Sequence, residues 1–210
     1  EGSHLVLEAF KTGRIEELIL EKDEIFPLDV ETVYVTNEII NKISTLEVPQ
    51  NIMALCNMKS SDFLGKRILL LDEIQDPGNL GTIIRSAVAF NIDTIVLGNN
   101  TVDVYNPKVL RASQGMIFHI NIISKPIDEV ISKLKEDGFT IYGTKVTHGD
   151  NLKNIDAPLK YAIVMGNEGN GMTEEITKLC DKFIYIDMNQ NCESLNVGVA
   201  TSIILYQLNK

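Results

Sequence analysis

Six short apolar runs set the strongest limit on what this chain can fold into. They lie at residues 67–72, 94–98, 119–123, 140–143, 161–166 and 183–187. Each is continuous rather than alternating and rich in Ile, Val or Leu, as expected of strands buried on both faces. Between them lie segments with helical spacing at 79–90, 107–115, 126–137, 172–181 and 194–208. Strand–helix alternation predicts an α/β domain with a mostly parallel sheet and helices on both faces. Ligands of such sheets sit beyond the carboxyl ends of the strands, so the loops after the strands are where chemistry is expected.

The first 58 residues have another texture. Helical spacing at 5–11 and 15–20 precedes apolar runs at 32–36 and 51–55, and the polar stretch 57–62 reads as a linker. The expected organisation is a small module at 1–58, a linker at 59–65 and a main domain at 66–210, a division that 210 residues can support. The opening Glu-Gly-Ser-His reads as mid-sequence, so residues upstream of it are expected. No apolar run approaches the roughly 20 residues that cross a bilayer, and no secretory pattern opens the chain.

Cys56, Cys180 and Cys192 are odd in number and lack C-x-x-C spacing, which points to reduced thiols in a cytoplasm. His4, His119 and His148 are scattered, and no metal site is expected. The net charge of −10 argues against non-specific nucleic-acid binding, which depends on Lys and Arg contacts to phosphate. A local basic patch over one site remains compatible with it.

Three loops stand out. The first, after 67–72, holds Pro77-Gly78 as a turn, Asn79 as a helix cap, and Arg85 among small residues. Arg85 reads equally as a solvated side chain or as a phosphate fork. The second, after 161–166, is Gly-Asn-Glu-Gly-Asn-Gly, in which glycines let the backbone approach a ligand. It matches neither the dinucleotide nor the P-loop fingerprint, so a plain turn is the alternative, although the carboxylate of Glu168 serves no turn geometry. The third, after 183–187, gathers Glu193, Ser194 and Asn196 at the start of the last helix. These read as a cap, with Ser194 the candidate, or as groups facing a ligand. Lys108 and Arg111 form a further basic pair, either solvated or phosphate-contacting. The last helix is apolar nearly all round, so it needs burial by its own domain, either alone or together with a second subunit.

Together these loops resemble the SpoU (TrmH) family of RNA ribose methyltransferases, within the SPOUT superfamily. The N-x-G-x-x-x-R motif is met by Asn79, Gly81 and Arg85, and G-x-E-G-x-G by Gly166, Glu168, Gly169 and Gly171. The third motif is met by Ile186, Met188, Glu193, Ser194, Leu195, Asn196, Val197, Val199 and Ala200, and R-A-S-x-G by residues 111–115. Glu1, Gly2, His4, Leu5, Val6, Glu8 and Ala9 resemble the opening of the family's small α/β substrate-binding module, without its first strand. Asp187, Gln190 and Gly198 stand where the family usually has Pro, Gly and Ser.

The resemblance implies a trefoil knot made by the last third of the chain. It also implies S-adenosylmethionine as methyl donor and a ribose 2′-hydroxyl of rRNA (the large subunit foremost) or tRNA as acceptor. A homodimer would form through the first and last helices of the catalytic domain. Carried over residue by residue, Arg85 is catalytic with Asn79, Glu168, Ser194 and Asn196. Thr144, Gly166, Asn167, Gly169, Ile186, Met188, Ser194 and Leu195 hold the cofactor, and Arg85, Lys108 and Arg111 contact RNA. The alternatives are an RNA-binding protein of the same fold without catalysis and a methyltransferase acting on a small molecule.

Overall fold

The computed structural model describes residues 1–59 and 61–209. Ser60 of the expected linker and Lys210 at the end of the expected main domain lie outside the described residues. The chain divides into two compact units. One comprises residues 1–59 with 114–119, and the other residues 60–113 with 120–210.

The first unit opens with helix α1 (Ser3–Lys11) and continues through strands β1 (Ile15–Glu21) and β2 (Thr32–Val35), helix α2 (Asn37–Ile43) and strand β3 (Ile52–Cys56). Residues 15–20, with their helical spacing, are thus a strand, not a helix. β1 is the middle of a three-stranded sheet, parallel to β2 and antiparallel to β3. Pairing on both sides overrides the local pattern, and the alternate residues Leu18 and Leu20 are the ones sealed from solvent. They pack with Val6 and Ile52 into the unit's own core. Helix α2, which the apolar runs did not announce, buries only Ile40.

Segment 114–119 joins this unit. Gln114 and Gly115 both take left-handed backbone (φ 51 and 79), and a 3-10 turn, Met116–His119, follows. A Cβ on Gly115 would stand 2.6 Å from Glu8 Cβ, so glycine is required here. His119 Nε2 in turn meets the buried Glu8 carboxylate at 2.7 Å. The strand expected from residue 119 therefore begins two residues later.

The second unit carries strands β4 (Arg67–Leu71), β5 (Thr94–Leu97), β6 (Asn121–Ser124), β7 (Thr140–Thr144), β8 (Asp150–Asn151), β9 (Tyr161–Met165) and β10 (Lys182–Tyr185). They form one sheet in the order β6-β5-β4-β9-β7-β10-β8, with every pairing parallel. The helices are α3 (Pro77–Ala89), α4 (Pro107–Ser113), α5 (Ile127–Glu136), α6 (Glu174–Leu179) and α7 (Val197–Leu208). Ile68, Leu70, Val96, Ile141, Ala162 and Val164 face α5 and α6 in one core layer. The alternate residues Leu69, Leu71, Ile95 and Ile163 are equally sealed, so both faces of the sheet are covered. Each such side chain contributes roughly 1.5–3 kcal/mol by leaving water.

Two helix starts differ from expectation, with consequences for the site. α3 begins at Pro77 and is capped by Asp76, whose Oδ1 accepts from Asn79 N at 2.7 Å, so Asn79 is not the cap. α7 begins at Val197 and is capped by Asn196, whose Oδ1 accepts from Gly198 N at 2.9 Å and Val199 N at 3.3 Å. Ser194 is therefore not the cap and stays in the preceding loop. α4 ends at Ser113 and α6 spans only Glu174–Leu179, both shorter than their periodic patterns. Among the described residues, no helix is long and apolar enough to cross a membrane.

Candidate functional site

Beyond the carboxyl ends of β7, β9 and β10 lies a cavity of about 960 Å³, a size that suits a nucleoside-sized ligand. All three singled-out loops reach it. Asp76 and Asn79 come from the first, residues 166–172 from the second, and Ser194, Leu195 and Asn196 from the third. Met165, Ile184, Ile186, Val197 and Ile204 supply apolar wall, while Thr144, Asn167 and Ser194 supply polar groups.

The loops are tied to one another by a continuous line of hydrogen bonds. Asn79 Nδ2 donates to Glu168 Oε1 at 3.0 Å, and Asn196 Nδ2 donates to Asn79 Oδ1 at 2.8 Å. Asn196 then caps α7 with its remaining oxygen. Glu168 also accepts from the backbone N–H of Asp76 (3.2 Å) and Gln75 (3.4 Å). Partial burial pushes the Glu168 carboxyl up, but the donors from Asn79 and from backbone N–H groups outweigh it and hold it below its ordinary value. It is a charged fastening between loops.

Gly166 makes the second loop possible. A Cβ there would lie 2.1 Å from Met172 N and 2.2 Å from Gly171 C, because the loop doubles back in a bridge between Asn167 and Gly171. Asn167 organises its interior, with Oδ1 accepting from Gly169 N at 2.9 Å and Asn170 N at 3.1 Å. Its Nδ2 donates to Glu73 O at 2.9 Å. Gly81 is a packing residue. A Cβ there would stand 2.3 Å from Ala112 Cβ, where α3 and α4 press together.

The expected cofactor residues converge here: Thr144, Gly166, Asn167, Gly169, Ile186, Met188, Ser194 and Leu195 all line the cavity. Thr144 Oγ1 is committed to Val164 O at 2.8 Å, so its hydroxyl braces β7 against β9. Arg85, Lys108 and Arg111 do not line it. Arg85 is exposed on α3, six residues and about 9 Å of helix axis beyond Asn79. Lys108 and Arg111 are exposed on α4.

Sequence reasoning missed Asp72, Glu73 and Asp76. Asp76 directly before Pro77 is a helix-start signature and was open to detection. Asp72 is buried and its Oδ2 accepts from Thr173 N at 2.7 Å, closing the exit of the second loop. Glu73 takes left-handed backbone (φ 60), and its carbonyl receives Asn167. Neither carries a local signal, since both act through partners about a hundred residues away.

The sequence profile of the SpoU rRNA Methylase family matches residues 66–206. The 23S rRNA (guanosine(2553)-2′-O)-methyltransferase RlmP of Bacillus subtilis (strain 168) is 38% identical over 214 residues, covering 99% of this chain and 86% of its own. A TrmH-family structure from Porphyromonas gingivalis aligns with a TM-score of 0.87 at 30% identity, over 99% of this chain and 87% of that one. An S-adenosylmethionine-bound rRNA methyltransferase from Sinorhizobium meliloti aligns with a TM-score of 0.85 at 26% identity, over 99% of this chain and 85% of that one.

Proposed function

This chain belongs to the SpoU rRNA methylase family, and from that premise we propose that it transfers a methyl group from S-adenosylmethionine to a ribose 2′-hydroxyl of large-subunit rRNA. The observation that carries the reading is the hydrogen-bonded line Glu168–Asn79–Asn196, which gathers all three motif loops around one cavity. The cavity fits the cofactor. Its apolar wall suits an adenine face, and the glycine cradle at 166–171 brings bare backbone against the ligand. When bound, S-adenosylmethionine supplies an electrophilic methyl group on a sulfonium. Thr144, Gly166, Asn167, Gly169, Ile186, Met188, Ser194 and Leu195 hold it.

A ribose hydroxyl is a weak nucleophile and must be positioned while its proton leaves. A guanidinium offers donors and no acceptor, so Arg85 acts as a clamp on an RNA phosphate or as electrostatic support for the developing alkoxide. Ser194 contacts the reacting region, and Asn79, Glu168 and Asn196 position the loops. Lys108 and Arg111 extend the phosphate contacts along α4. The domains in this reading are a substrate-binding module at 1–58, a linker at 59–65 and a catalytic domain at 66–210. A trefoil knot belongs to the same reading. The insertion of β9 between β4 and β7, with β10 on the far side of β7, supports it. The setting is cytoplasmic.

The test uses radiolabelled S-adenosylmethionine and unmodified large-subunit rRNA transcript, with the product mapped for 2′-O-methylation. Arg85→Ala is expected to abolish transfer while the cofactor affinity measured by calorimetry stays within about twofold of wild type. Near wild-type transfer by that variant removes Arg85 from the mechanism. Methylation of tRNA but not of rRNA moves the substrate to the former.

A further inference from the structure

A second cleft, of about 380 Å³, opens at the carboxyl ends of β5 and β6. Leu97 and Gly98 at the end of β5, Ser124 at the end of β6 with Lys125 and Pro126 after it, and Asn99 with residues 101–105 enclose it. None of the three motifs enters it. Tyr105 lines it and is 46% exposed. The other exposed aromatic rings of this unit, among the described residues, lie elsewhere. Phe63 is bonded through its carbonyl to Thr94, the first residue of β5, and Tyr206 sits on α7.

The cleft is coupled to the cofactor cavity. Asn100 Nδ2 donates to Glu73 Oε1 at 2.8 Å, and the carbonyl of the same Glu73 receives Asn167 of the glycine loop at 2.9 Å. Val102 N donates to Ile74 O at 2.8 Å, and Thr101 Oγ1 donates to Leu71 O at 3.2 Å. Asp103 Oδ1 accepts from Tyr105 N at 2.9 Å, fixing where the ring leaves the backbone. Only β4 separates β5 from β9, so the two openings share one edge of the sheet and their nearest strands lie about 10 Å apart.

The charge of the protein bears on what enters. Residues 1–59 carry 11 acidic and 5 basic side chains, and the whole chain is at −10. Attraction to phosphate is therefore a weak source of RNA affinity. Stacking of a base on an aromatic ring does not depend on net charge.

We propose that this cleft is a nucleobase subsite, in which the base of a nucleotide flanking the methylated ribose stacks on Tyr105. Asn99 and Ser124, both lining the cleft, present polar groups to the base edge. The proposal rests on the RNA-methyltransferase reading of the cofactor cavity.

The test compares Tyr105→Ala, Tyr105→Phe and Ser124→Trp, the last filling the cleft. Each is measured for binding and methylation of unmodified large-subunit rRNA transcript and for S-adenosylmethionine affinity. Tyr105→Ala and Ser124→Trp are expected to weaken transcript binding about tenfold or more, with KM rising further than kcat falls. Tyr105→Phe should stay within about twofold, and cofactor affinity should be unchanged in all three. Wild-type transcript affinity in Tyr105→Ala overturns the subsite and leaves the methyltransferase reading standing. Equal losses in Tyr105→Phe and Tyr105→Ala, or a parallel loss of cofactor affinity, also overturn it. A wild type that methylates no transcript overturns the main reading and the subsite together.

Discussion

Glu168 sits on an exposed loop yet receives the Asn79 amide and two backbone N–H groups of the neighbouring loop. Every one of these partners is a donor, so the site demands an acceptor at both oxygens. Glu168→Gln presents an –NH₂ to at least one of them. Because the carboxylate is exposed, the expected stability loss is small, about 1 kcal/mol or less. The expected effect on S-adenosylmethionine affinity is larger, several-fold by calorimetry, because the first and second loops lose their fastening. Unchanged affinity would leave Glu168 a passive surface group. The pH dependence follows from its lowered value. A carboxyl held below its unfolded value contributes stability that is fully present above the usual carboxylate range and is lost as pH falls through the folded value. Through Glu168, cofactor affinity should thus be insensitive to pH near neutrality and decline only in acid, below the ordinary carboxylate range. The sequence marked this residue because a carboxylate among glycines has no turn role. What it touches was not legible, since Gln75, Asp76 and Asn79 stand about 90 positions away.

At the scale of elements, the caps separate what was readable from what was not. Apart from β8, whose Asp150 and Asn151 carry no apolar signal, the strands and helices of the second unit follow their apolar periodicity, because burial on both faces of a parallel sheet imposes it. Their ends depend on single side chains. Asp76, and not Asn79, caps α3, which frees the Asn79 carboxamide to join Glu168 to Asn196. Asn196 caps α7 with its oxygen and holds Asn79 with its nitrogen. These two jobs can be divided by substitution. Asn196→Asp keeps the cap and suits the helix dipole, so the melting temperature should hold, while the donor to Asn79 is lost and methyl transfer falls. Asn196→Ala loses both, with an added stability cost of about 1 kcal/mol. If Asn196→Asp retains full methyl transfer, the link to Asn79 has no part in the reaction. β1 marks the opposite case. Its helical spacing lost to pairing with β2 and β3, and no pattern inside residues 15–20 reveals those neighbours.

For the whole molecule, α7 poses the remaining physical problem. One face is sealed within its own unit through Val197, Thr201, Ile204, Leu205 and Leu208. Val199, Ile203 and Tyr206, spaced four and three residues apart, form a second apolar stripe that is 46%, 39% and 70% exposed. α3 lies beside it, joined through Ser86 Oγ and Ser202 Oγ at 2.6 Å. The sequence showed that α7 is apolar nearly all round, and so that its own domain must bury much of it. It could not show which residues stay outside, because that depends on how α3 packs. A stripe of this kind beside α3 suits an isologous contact with a second copy, in which both copies bury the same residues. The expected outcome is a dimer by light scattering at micromolar concentration. Ile203→Glu places a charge at the centre of the stripe, where pairing across a two-fold axis would bring two like charges together in an apolar setting. That variant should elute as a folded monomer with the far-ultraviolet circular dichroism of the wild type. A dimer that survives Ile203→Glu at the wild-type concentration would move the contact off α7 and leave its outer stripe unexplained by self-association.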